Sequence, residues 1–511
     1  MHNEASVALA LGATALAVVV WSARAKKSIA PFPPGPKGTF LLGNALDLPL
    51  SKPWITFTEW AKTYGPIVHL SVFGKHIIVL NDLKYAIDIL DKKSRIYSNR
   101  PTLVMGGELV GYHQILGFFQ LGKQWAEQRR IIAQFIGTRS KVETSYGASL
   151  ETAVYSFMQD LLENPNMWRH LAFKFAGTAV LNVTCGYQPK DENDSFLQLA
   201  DESMRHFSEL TGANAFAVDT FPFLRYVPEW FPGAGWKKKI GPYRATRQAA
   251  IDAPFNWVKR QVELGRSMPG MVSDLLSSHK YTAEEEHTVK LVGFSVMGGK
   301  CILHCLTAAV IETFFLAMVL HPDAQRKAQI ELDSDLGPGT VPRSTDRSRL
   351  PFVEALILEV FRKYTIGPLG FPHAAAEDDV HNGYFIPKDT IILANTWLFF
   401  RDPKIYSDPE AFRPERFIET PTHAKEMDPR EIVFGYGRRV CPGSHLANMT
   451  AWLVCAAILT FFDISAPIED GRPVIPSGEF LDGTISRPAE FKCVVTARKG
   501  AAEAIRRLVD V

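Results

Sequence analysis

Apolar and polar residues are patterned differently along the chain, and each pattern predicts a different kind of element. The first uninterrupted apolar run, Ala5–Trp21, contains no charged residue and is followed by three cations between positions 24 and 27. This length is at the short end for a membrane-spanning helix, and cations after it favour a cytosolic location for the following chain. A cleaved signal peptide is the alternative, because residues 23–25 loosely resemble a cleavage site. We predict a membrane anchor over residues 1–27.

A proline-rich segment follows the apolar run. The prolines between Pro31 and Pro36 make the chain stiff and leave it little helix potential, so residues 28–40 are interpreted as a hinge. The length of 511 residues alone would suggest about three domains. No Gly/Ser linker, charge block or repeat divides the remainder, and we therefore predict a single large domain over residues 41–511.

Within that domain, helical patterns outnumber strand patterns. Residues Trp54–Tyr64 follow a helical pattern, and Ile67–Leu80 predicts a short strand pair that turns at Gly74-Lys75. From about 120 to 330 the pattern is mainly that of amphipathic helices. After Pro387 the chain becomes rich in proline and aspartate and loses its periodicity. These patterns predict a mainly α protein with small β-sheets.

One stretch interrupts the helical patterns. Residues 221–236 are rich in aromatic side chains and proline, and three lysines follow at 237–239. Aromatics beside cations are typical of a membrane interface. An ordinary loop whose aromatics pack on the core is the other interpretation, and the sequence leaves both open.

Composition narrows the class of protein. The hydrophobic fraction of 46% is ample for a large core, and a net charge of +2 argues against a dedicated nucleic-acid-binding protein. Six cysteines lie at irregular spacing, which does not predict a disulfide framework. Free thiols in a reducing compartment fit this spacing better.

One of these cysteines, Cys441, lies in a glycine-rich loop just before the apolar helical run Leu446–Phe462. Glycines beside a thiolate let backbone N–H groups approach its sulfur. The N-terminal end of the following helix favours the deprotonated thiol. Arg439 adds a fixed cation with several donors. These features suit a thiolate that binds an iron-containing cofactor.

The loop carries the pattern Phe-x-x-Gly-x-Arg-x-Cys-x-Gly at Phe434, Gly437, Arg439, Cys441 and Gly443, and so the chain resembles a cytochrome P450. The resemblance implies the cytochrome P450 fold and a haem b cofactor. Cys441 would be the axial ligand of the haem iron, and Arg439 would bind a haem propionate. The other three residues of the pattern would shape the cofactor-binding loop.

The same resemblance assigns roles to residues whose spacing alone is a weak indication. Two further haem contacts are expected from Trp125 and Arg129, which lie four apart on a predicted helix. His373 often serves the same purpose in the family, although a lone histidine is more often merely hydrogen-bonded. A structural triad of Glu359, Arg362 and Arg416 is expected to brace the cysteine loop.

Basic residues near the cysteine indicate a partner. Lys123, Arg129, Arg130 and Arg438 would form a face that suits an acidic electron donor. The chain has no recognisable flavin or nicotinamide domain. Electrons are therefore expected from NADPH through a separate NADPH–cytochrome P450 reductase, with the anchor in the endoplasmic reticulum membrane and the catalytic domain in the cytosol.

The resemblance fails at residues 302–307. The family's Ala-Gly-x-Asp-Thr-Thr is replaced by Ile-Leu-His-Cys-Leu-Thr, so that Leu306 stands where an alcohol is expected. The acid and the alcohol relay protons during dioxygen cleavage. Thr307 keeps an alcohol and is the remaining catalytic candidate, but one residue along a helix rotates it by about 100°. His304 is expected to point away from the haem.

Three explanations stay open. The substrate supplies its own hydroxyl, or the site rearranges, dehydrates or uses a peroxide, or residues 301–306 reflect a one-nucleotide shift in the reading frame. A zinc site at Cys301, His304 and Cys305 is disfavoured, because the spacing is unusual and no fourth ligand is evident.

The sequence thus predicts a membrane-anchored haem-thiolate monooxygenase acting on a lipophilic small molecule. The residue sequences of several segments resemble those of fungal, especially basidiomycete, members of the family, many of which act in secondary metabolism. A non-catalytic haem-binding protein is the rival hypothesis. Segments expected to line the substrate pocket are 98–119, 297–307, 365–371 and 483–486.

Overall fold

A computed structural model describes residues 29–189, 194–212, 216–278 and 281–509, with the side chains of residues 204, 298–305 and 509 excepted. The predicted anchor at residues 1–27 lies outside the described residues, and so does the side chain of His304. The anchor and the single domain from residue 41 stay predictions.

Long helices dominate the described chain. The longer α-helices, labelled in chain order, are α1 (Pro53–Tyr64), α2 (Lys123–Ile136), α3 (Arg139–Glu163), α4 (Trp168–Cys185), α5 (Ser195–Thr211), α6 (Ile240–Glu263), α7 (Met271–Ser278), α8 (Ala283–Leu320), α9 (Pro322–Asp335), α10 (Pro351–Lys363), α11 (Ser444–Phe461) and α12 (Ala501–Val509). Short helical turns lie at Leu83–Ala86, Ile87–Lys92, Val104–Leu109, Tyr112–Gln114, Pro165–Met167, Ala217–Thr220, Pro222–Tyr226, Gly235–Lys239, Ser344–Arg349, Thr396–Phe399, Pro414–Phe417, Arg430–Val433 and Gly437–Arg439.

The strands are short and lie in small sheets. They are β1 (Ile67–Val72), β2 (Lys75–Leu80), β3 (His373–Ala374), β4 (Asp379–His381), β5 (Tyr384–Ile386), β6 (Ile391–Ala394), β7 (Phe462–Ser465), β8 (Ile468–Glu469), β9 (Arg472–Pro473) and β10 (Val494–Ala497). One sheet has the order β1-β2-β6-β3, with β2 and β6 parallel and the other pairs antiparallel. The two-stranded sheets are β10-β7, β4-β5 and β8-β9, so the predicted mainly α fold with small sheets is confirmed.

The predicted hairpin forms, but its turn lies one residue earlier than expected. Ile67 pairs with Leu80 and Val72 with Lys75, which leaves Phe73 and Gly74 as the turn. Both turn residues have positive φ, 49° and 79°. Two positive φ angles are typical of the tight turn that matches the twist of a hairpin, and this register makes Lys75 the first residue of β2.

The core is built around α8 and α11. A capping box of Thr282 and Glu285 begins α8. Of the described helices, α11 is long and apolar enough to cross a membrane, but 78% of that stretch is buried inside the protein. A second stretch meets that test only if α9 and Leu306–Leu320 of α8, which are bent by 105°, count as one span. Helix α11 is therefore a core helix.

The proline-rich segment lies against the first sheet. The carbonyl of Pro31 accepts a hydrogen bond from the Phe385 N–H, and that of Pro34 from the His69 N–H, at 2.8 and 2.9 Å. The Phe32 ring stacks on the ring of His69 at a centroid distance of 4.7 Å. These contacts fix the direction in which the chain enters the described structure.

The aromatic stretch 221–236 divides between surface and core. Phe223, Tyr226 and Trp230 are exposed to 64%, 80% and 81%. Trp236 and Leu224, in contrast, pack against buried residues between α5 and α6. Neither interpretation of this stretch holds for all of its aromatics, and the exposed ones are available for an interface.

Candidate active site

Cys441 is held by a loop that contains two glycines with positive φ. Gly435 and Gly437 have φ of 81° and 50°, a region that other residues rarely adopt. A Cβ on Gly437 would lie 2.5 Å from the carbonyl oxygen of Leu90. The Cys441 N–H donates to the carbonyl of Phe434 at 2.8 Å. The loop is thereby closed between the cysteine and the first residue of the pattern.

Opposing effects act on the Cys441 thiol. Burial raises its pKa, while a hydrogen bond from the Gly443 N–H and the charge of Arg129 lower it. Arg129 itself donates to the carbonyl of Val440 at 2.8 Å, so the cation is fixed beside the cysteine. An N–H donor and a cation at the sulfur are what a thiolate ligand requires.

Cys441 lines an internal cavity of about 880 Å³. That volume is within the range of ligand sites, about 300–1,000 Å³. All four segments predicted to form the pocket contribute lining residues, which are mainly apolar or small. They are Arg100, Gly117, Leu306, Thr307, Ile366, Gly367, Leu369, Gly370, Phe371, Gly483, Thr484 and Ile485.

Two buried arginines lie at this cavity without a carboxylate partner. The Arg439 Nε donates to the carbonyl of Ser98 at 2.6 Å. Arg100 donates to the carbonyls of Phe371 and Pro372 at 2.9 and 2.7 Å. Among the described residues, no carboxylate lies within ion-pairing distance of either guanidinium. A buried charge normally requires a counter-ion, so this end of the cavity suits an anionic ligand.

The pKa values of the two arginines also favour an anionic ligand at this end of the cavity. Burial and then the charge of Arg129 lower the pKa of Arg439 to about 10. Burial, followed by the charge of Arg439, also lowers the pKa of Arg100. Each cation is therefore destabilised by burial and by its neighbour, and two carboxylates bound here would relieve both effects.

Trp125 adds an unused donor. Its indole Nε1 is buried and has no hydrogen-bond partner among the described residues. The guanidinium groups of Arg129 and Arg439 both lie near the ring, at 5.6 and 5.2 Å from its centroid. An orphaned donor beside unpaired cations fits the propionates of a haem whose iron is bound by Cys441.

His373 is also at this end of the cavity. Its Nδ1 lies 2.7 Å from the carbonyl of Tyr97, so this nitrogen carries a proton that it donates to that oxygen. Burial, and then the charge of Arg100, lower the pKa of His373 to about 3. The haem-propionate contact expected of His373 from the sequence stays a prediction.

Arg100 was not identified from the sequence, although the segment that contains it was. A single arginine followed by proline in a loop matches no spacing rule. Only the folded chain brings the start of this loop beside Arg439, and the two carbonyls that hold Arg100 lie more than two hundred residues away along the chain.

Glu359, Arg362 and Arg416 meet in a fully buried cluster. Arg362 and Arg416 lie 2.7 and 3.1 Å from the Glu359 carboxylate, and all three side chains are 0% exposed. Glu426 joins them, because its carboxylate lies 2.7 Å from Arg416. The sequence did not indicate Glu426, which lies in a stretch without periodicity. Arg413, which is 40% exposed, also lies 3.1 Å from Glu426, so the buried part of the cluster contains two cations and two anions.

Helix α8 passes the cavity without a break through residues 302–307. Leu306 and Thr307 both line the cavity. Thr307 also borders a small void between α4 and α11. The two residues are rotated by about 100° from one another around the helix axis, and Thr307 lies where the cavity wall meets the small void.

Exposed cations lie on α2, which contacts the Cys441 loop through Arg129, and in the loop itself. Lys123 and Arg130 are exposed on α2, and Arg438 is exposed in the loop itself. Arg129 is half-buried and contacts the loop through Val440.

Comparisons with known proteins agree with this geometry. A family model described as "Cytochrome P450" matches residues 33–493. The chain is 40% identical to cytochrome P450 monooxygenase 208 of Postia placenta, over 96% of this chain and 95% of that protein. It is 38% identical to cytochrome P450 monooxygenase claR of Ampulloclitocybe clavipes, over 93% and 88% of the two chains. O-methylsterigmatocystin oxidoreductase of Aspergillus flavus is 35% identical, over 94% and 90%.

A solved structure supports the fold. A zebrafish cytochrome P450 determined with abiraterone superposes with a TM-score of 0.68 and 22% sequence identity. The match covers 87% of this chain and 100% of that chain.

Proposed function

The chain belongs to the cytochrome P450 family, and from that premise we propose that the protein is a haem-thiolate monooxygenase that oxidises a lipophilic small molecule. The observation that carries the proposal is the pair of buried, unpaired cations, Arg100 and Arg439, in one cavity with Cys441. A haem bound here supplies the chemistry of dioxygen activation.

The residues of this chain have separate roles in that proposal. Cys441 binds the iron through its thiolate. Arg100, Arg439 and the Trp125 indole bind the propionates, and Arg129 holds the cysteine loop by its contact with Val440. Phe434, Gly437 and Gly443 shape that loop. The cluster of Glu359, Arg362, Arg416 and Glu426 positions the chain that leads into it.

Thr307 is the alcohol available at the cavity wall in the described part of α8. Its hydroxyl can hold a proton or a water molecule at the reaction side of the cavity. Leu306 cannot. The second candidate function follows from Leu306, which lines the cavity where the family has an alcohol: a haem-thiolate enzyme that rearranges, dehydrates or uses a peroxide.

The substrate class follows from the cavity and the relatives. The lining is mainly apolar, which suits a lipophilic guest. One relative is named for the oxidation of O-methylsterigmatocystin. We infer that this protein acts on a comparable apolar compound in fungal secondary metabolism.

Partners and location are part of the same proposal. An NADPH–cytochrome P450 reductase would dock through its acidic surface on Lys123, Arg130 and Arg438. Residues 1–27 would anchor the chain in the endoplasmic reticulum membrane. The exposed aromatics Phe223, Tyr226 and Trp230 would rest at the lipid interface, where aromatic side chains are favoured.

The first experiment is the carbon monoxide difference spectrum of the reduced, full-length protein. We expect a thiolate-type Soret band, its loss in Cys441→Ser, and its retention in Cys455→Ser, whose thiol is buried in α11 away from charge. No haem uptake, or a band that survives Cys441→Ser, would contradict the proposal.

The two chemistries are separated by incubation with reductase and NADPH. A monooxygenase consumes NADPH and dioxygen in step with product, and Thr307→Val lowers product per NADPH by about tenfold or more. Product formed without NADPH consumption would favour the second candidate. Sequencing of the transcript across codons 301–306 tests whether the helix is encoded as given.

A further inference from the structure

Glu312 is a buried carboxylate without a role in the proposed chemistry. It lies on α8, is 0% exposed, and neither carboxylate oxygen has a hydrogen-bond partner among the described residues. Two guanidinium groups approach it, Arg169 at 3.7 Å and Arg487 at 3.9 Å. Burial raises its pKa and the two arginines lower it. A buried carboxylate is unfavourable unless neighbouring cations compensate its charge.

The two arginines differ in their surroundings. Arg169 donates to the carbonyl of Ala489 at 3.2 Å and lies over the rings of Trp168 and Phe491. Arg487 donates no side-chain hydrogen bond to any residue that the structure describes. Its guanidinium lies 5.1 Å from the centroid of the Phe173 ring. The side chain is 33% exposed, and none of its five N–H donors is taken by an acceptor of the described residues.

Arg487 and Phe173 both line the active-site cavity. The loop that carries Arg487 is held closed, because the Leu481 N–H donates to the Arg487 carbonyl at 2.7 Å. The Ser486 N–H donates to the carbonyl of Ile366, another lining residue, at 2.8 Å. Arg487 is thus a well-placed cation on a mainly apolar wall.

Charge near Arg487 is unbalanced. Two arginines face one carboxylate at Glu312, which leaves a net positive charge when all three are ionised. Asp482, an acid in the same loop, accepts hydrogen bonds from the backbone N–H groups of Lys52 and Gly483. Among the described residues, the Arg487 guanidinium therefore has only the shared and distant carboxylate of Glu312 as an ion-pair partner.

We propose that Arg487 is a specificity-determining residue that binds a carboxylate of the substrate, with Glu312 as the counter-ion behind the cavity wall. The proposal rests on the proposed function and refines its substrate class to a lipophilic acid. Guanidinium and carboxylate form charge-assisted, often bidentate hydrogen bonds, and the five unused donors of Arg487 suit that geometry.

The position of Glu312 on α8 relates Arg487 to the part of the cavity that is lined by Thr307 and Cys441. Glu312 follows Thr307 by five residues on the same helix, a rise of about 7.5 Å. A substrate held at Arg487 would extend its apolar part along α8 towards Thr307 and Cys441. The site of oxidation is then set by the distance from the carboxylate, which selects one carbon of a flexible chain.

The test uses haem-loaded, full-length protein and a series of ω-(imidazol-1-yl)alkanoic acids of increasing chain length, each beside its methyl ester. The imidazole binds the iron and shifts the Soret band, so that both compounds report affinity in the same way. At the chain length that spans iron and Arg487, we expect the acid to bind about tenfold more tightly than the ester.

Variants identify the residue responsible. Arg487→Gln is expected to remove the preference for the acid and to leave ester binding unchanged, whereas Arg487→Lys keeps part of the preference. Arg205→Gln is the matched control, because Arg205 is another arginine that lines the cavity, on α5. Glu312→Gln removes the competing anion and is expected to tighten acid binding.

Several results would overturn the proposal. They are equal affinity for acid and ester at every chain length, an acid preference that survives Arg487→Gln, and a preference lost in Arg205→Gln instead. Equal weakening of acid and ester by Arg487→Gln would show a purely structural ion pair. Failure of the haem-thiolate function is distinguishable, since without haem neither acids nor esters give a Soret shift.

Discussion

At the scale of single residues, the end of the cavity near Cys441 contains, among the described residues, buried charges without a carboxylate partner and a buried N–H donor without an acceptor. Arg100, Arg439 and the Trp125 indole are buried with donors or charges that the described protein does not satisfy. Burying such groups is unfavourable unless a ligand completes them. The apoprotein should therefore be less stable than the haem-bound protein, and the arginines should matter for haem retention more than for folding.

Two neighbouring arginines allow a matched comparison. Arg439 is buried at the cavity, whereas Arg438 beside it in the loop is exposed. Arg439→Leu is expected to lower haem content several-fold, because a propionate loses its cation. Arg438→Leu should keep full haem content and slow reduction by the reductase at low ionic strength.

The measurement is the ratio of Soret to protein absorbance, followed by stopped-flow reduction. A full haem complement in Arg439→Leu would contradict the propionate assignment. A slower reduction of Arg438→Leu that is insensitive to salt would contradict its place in the docking face.

At the scale of elements, the charged cluster joins α10 to the irregular chain before the cysteine loop. Arg362 donates to the carbonyls of Phe400 and Pro409 at 2.9 and 2.8 Å, besides its bonds to Glu359. Arg416 donates to the carbonyl of Ser407 at 2.7 Å. The carbonyl groups of this irregular segment thereby accept hydrogen bonds from arginine side chains, because no described helix or strand supplies backbone N–H partners for them.

Removing one member of this cluster should lower the free energy of unfolding more than removing one member of an exposed ion pair. Arg362→Leu leaves the buried Glu359 with one cation and is expected to lower the free energy of unfolding by about 3–5 kcal/mol. The control is Arg326→Leu, because Arg326 is 67% exposed in its pair with Asp323 and should cost under about 1 kcal/mol. Urea denaturation of both variants measures the difference, and equal losses would contradict the bracing role.

At the scale of the whole molecule, two partly buried histidines in distant parts of the chain, His69 and His321, have a lowered pKa. Burial, and then the neighbouring His76, lower the pKa of His69 to about 4. Burial, and then Lys363, lower the pKa of His321 to about 4. Phe32 of the proline-rich segment stacks on His69, and Phe412 stacks on His321 at a centroid distance of 4.0 Å. Distant parts of the chain therefore depend on uncharged imidazoles.

This arrangement predicts loss of stability on the acid side. Below the usual pKa of 6.5 the unfolded chain binds protons that the folded chain excludes, so the free energy of unfolding falls as the pH falls towards 4. After allowance for solvent screening, His69 and His321 together should lower the free energy of unfolding by about 2 kcal/mol at pH 5. Thermal unfolding against pH measures it.

A variant isolates the contribution of one histidine. His69→Phe should flatten the decline between pH 6.5 and 4, because an aromatic ring stays in the stack without a titratable nitrogen. The same change at the exposed His287 should leave the profile unaltered. An acid limb that is unchanged in His69→Phe would contradict the assignment.

Local information was sufficient for the sequence to predict several features. The hydrophobic periodicities predicted the mainly α architecture, a helix over Trp54–Tyr64 and the hairpin at Ile67–Leu80, because such patterns depend on near neighbours along the chain. The glycine-rich pattern around Cys441 indicated the family for the same reason: positive φ at Gly435 and Gly437 is a local demand.

Only the tertiary structure decided which charges meet. Arg100, Glu426 and the group of Glu312, Arg169 and Arg487 are far apart along the chain and follow no periodicity. Their importance comes from burial, which removes water and makes an unpaired charge or an unused donor unfavourable. The fold alone determines which side chains lose their water. The pair of buried arginines at one end of the cavity and the arginine on its apolar wall therefore could not be predicted from the pattern of residues.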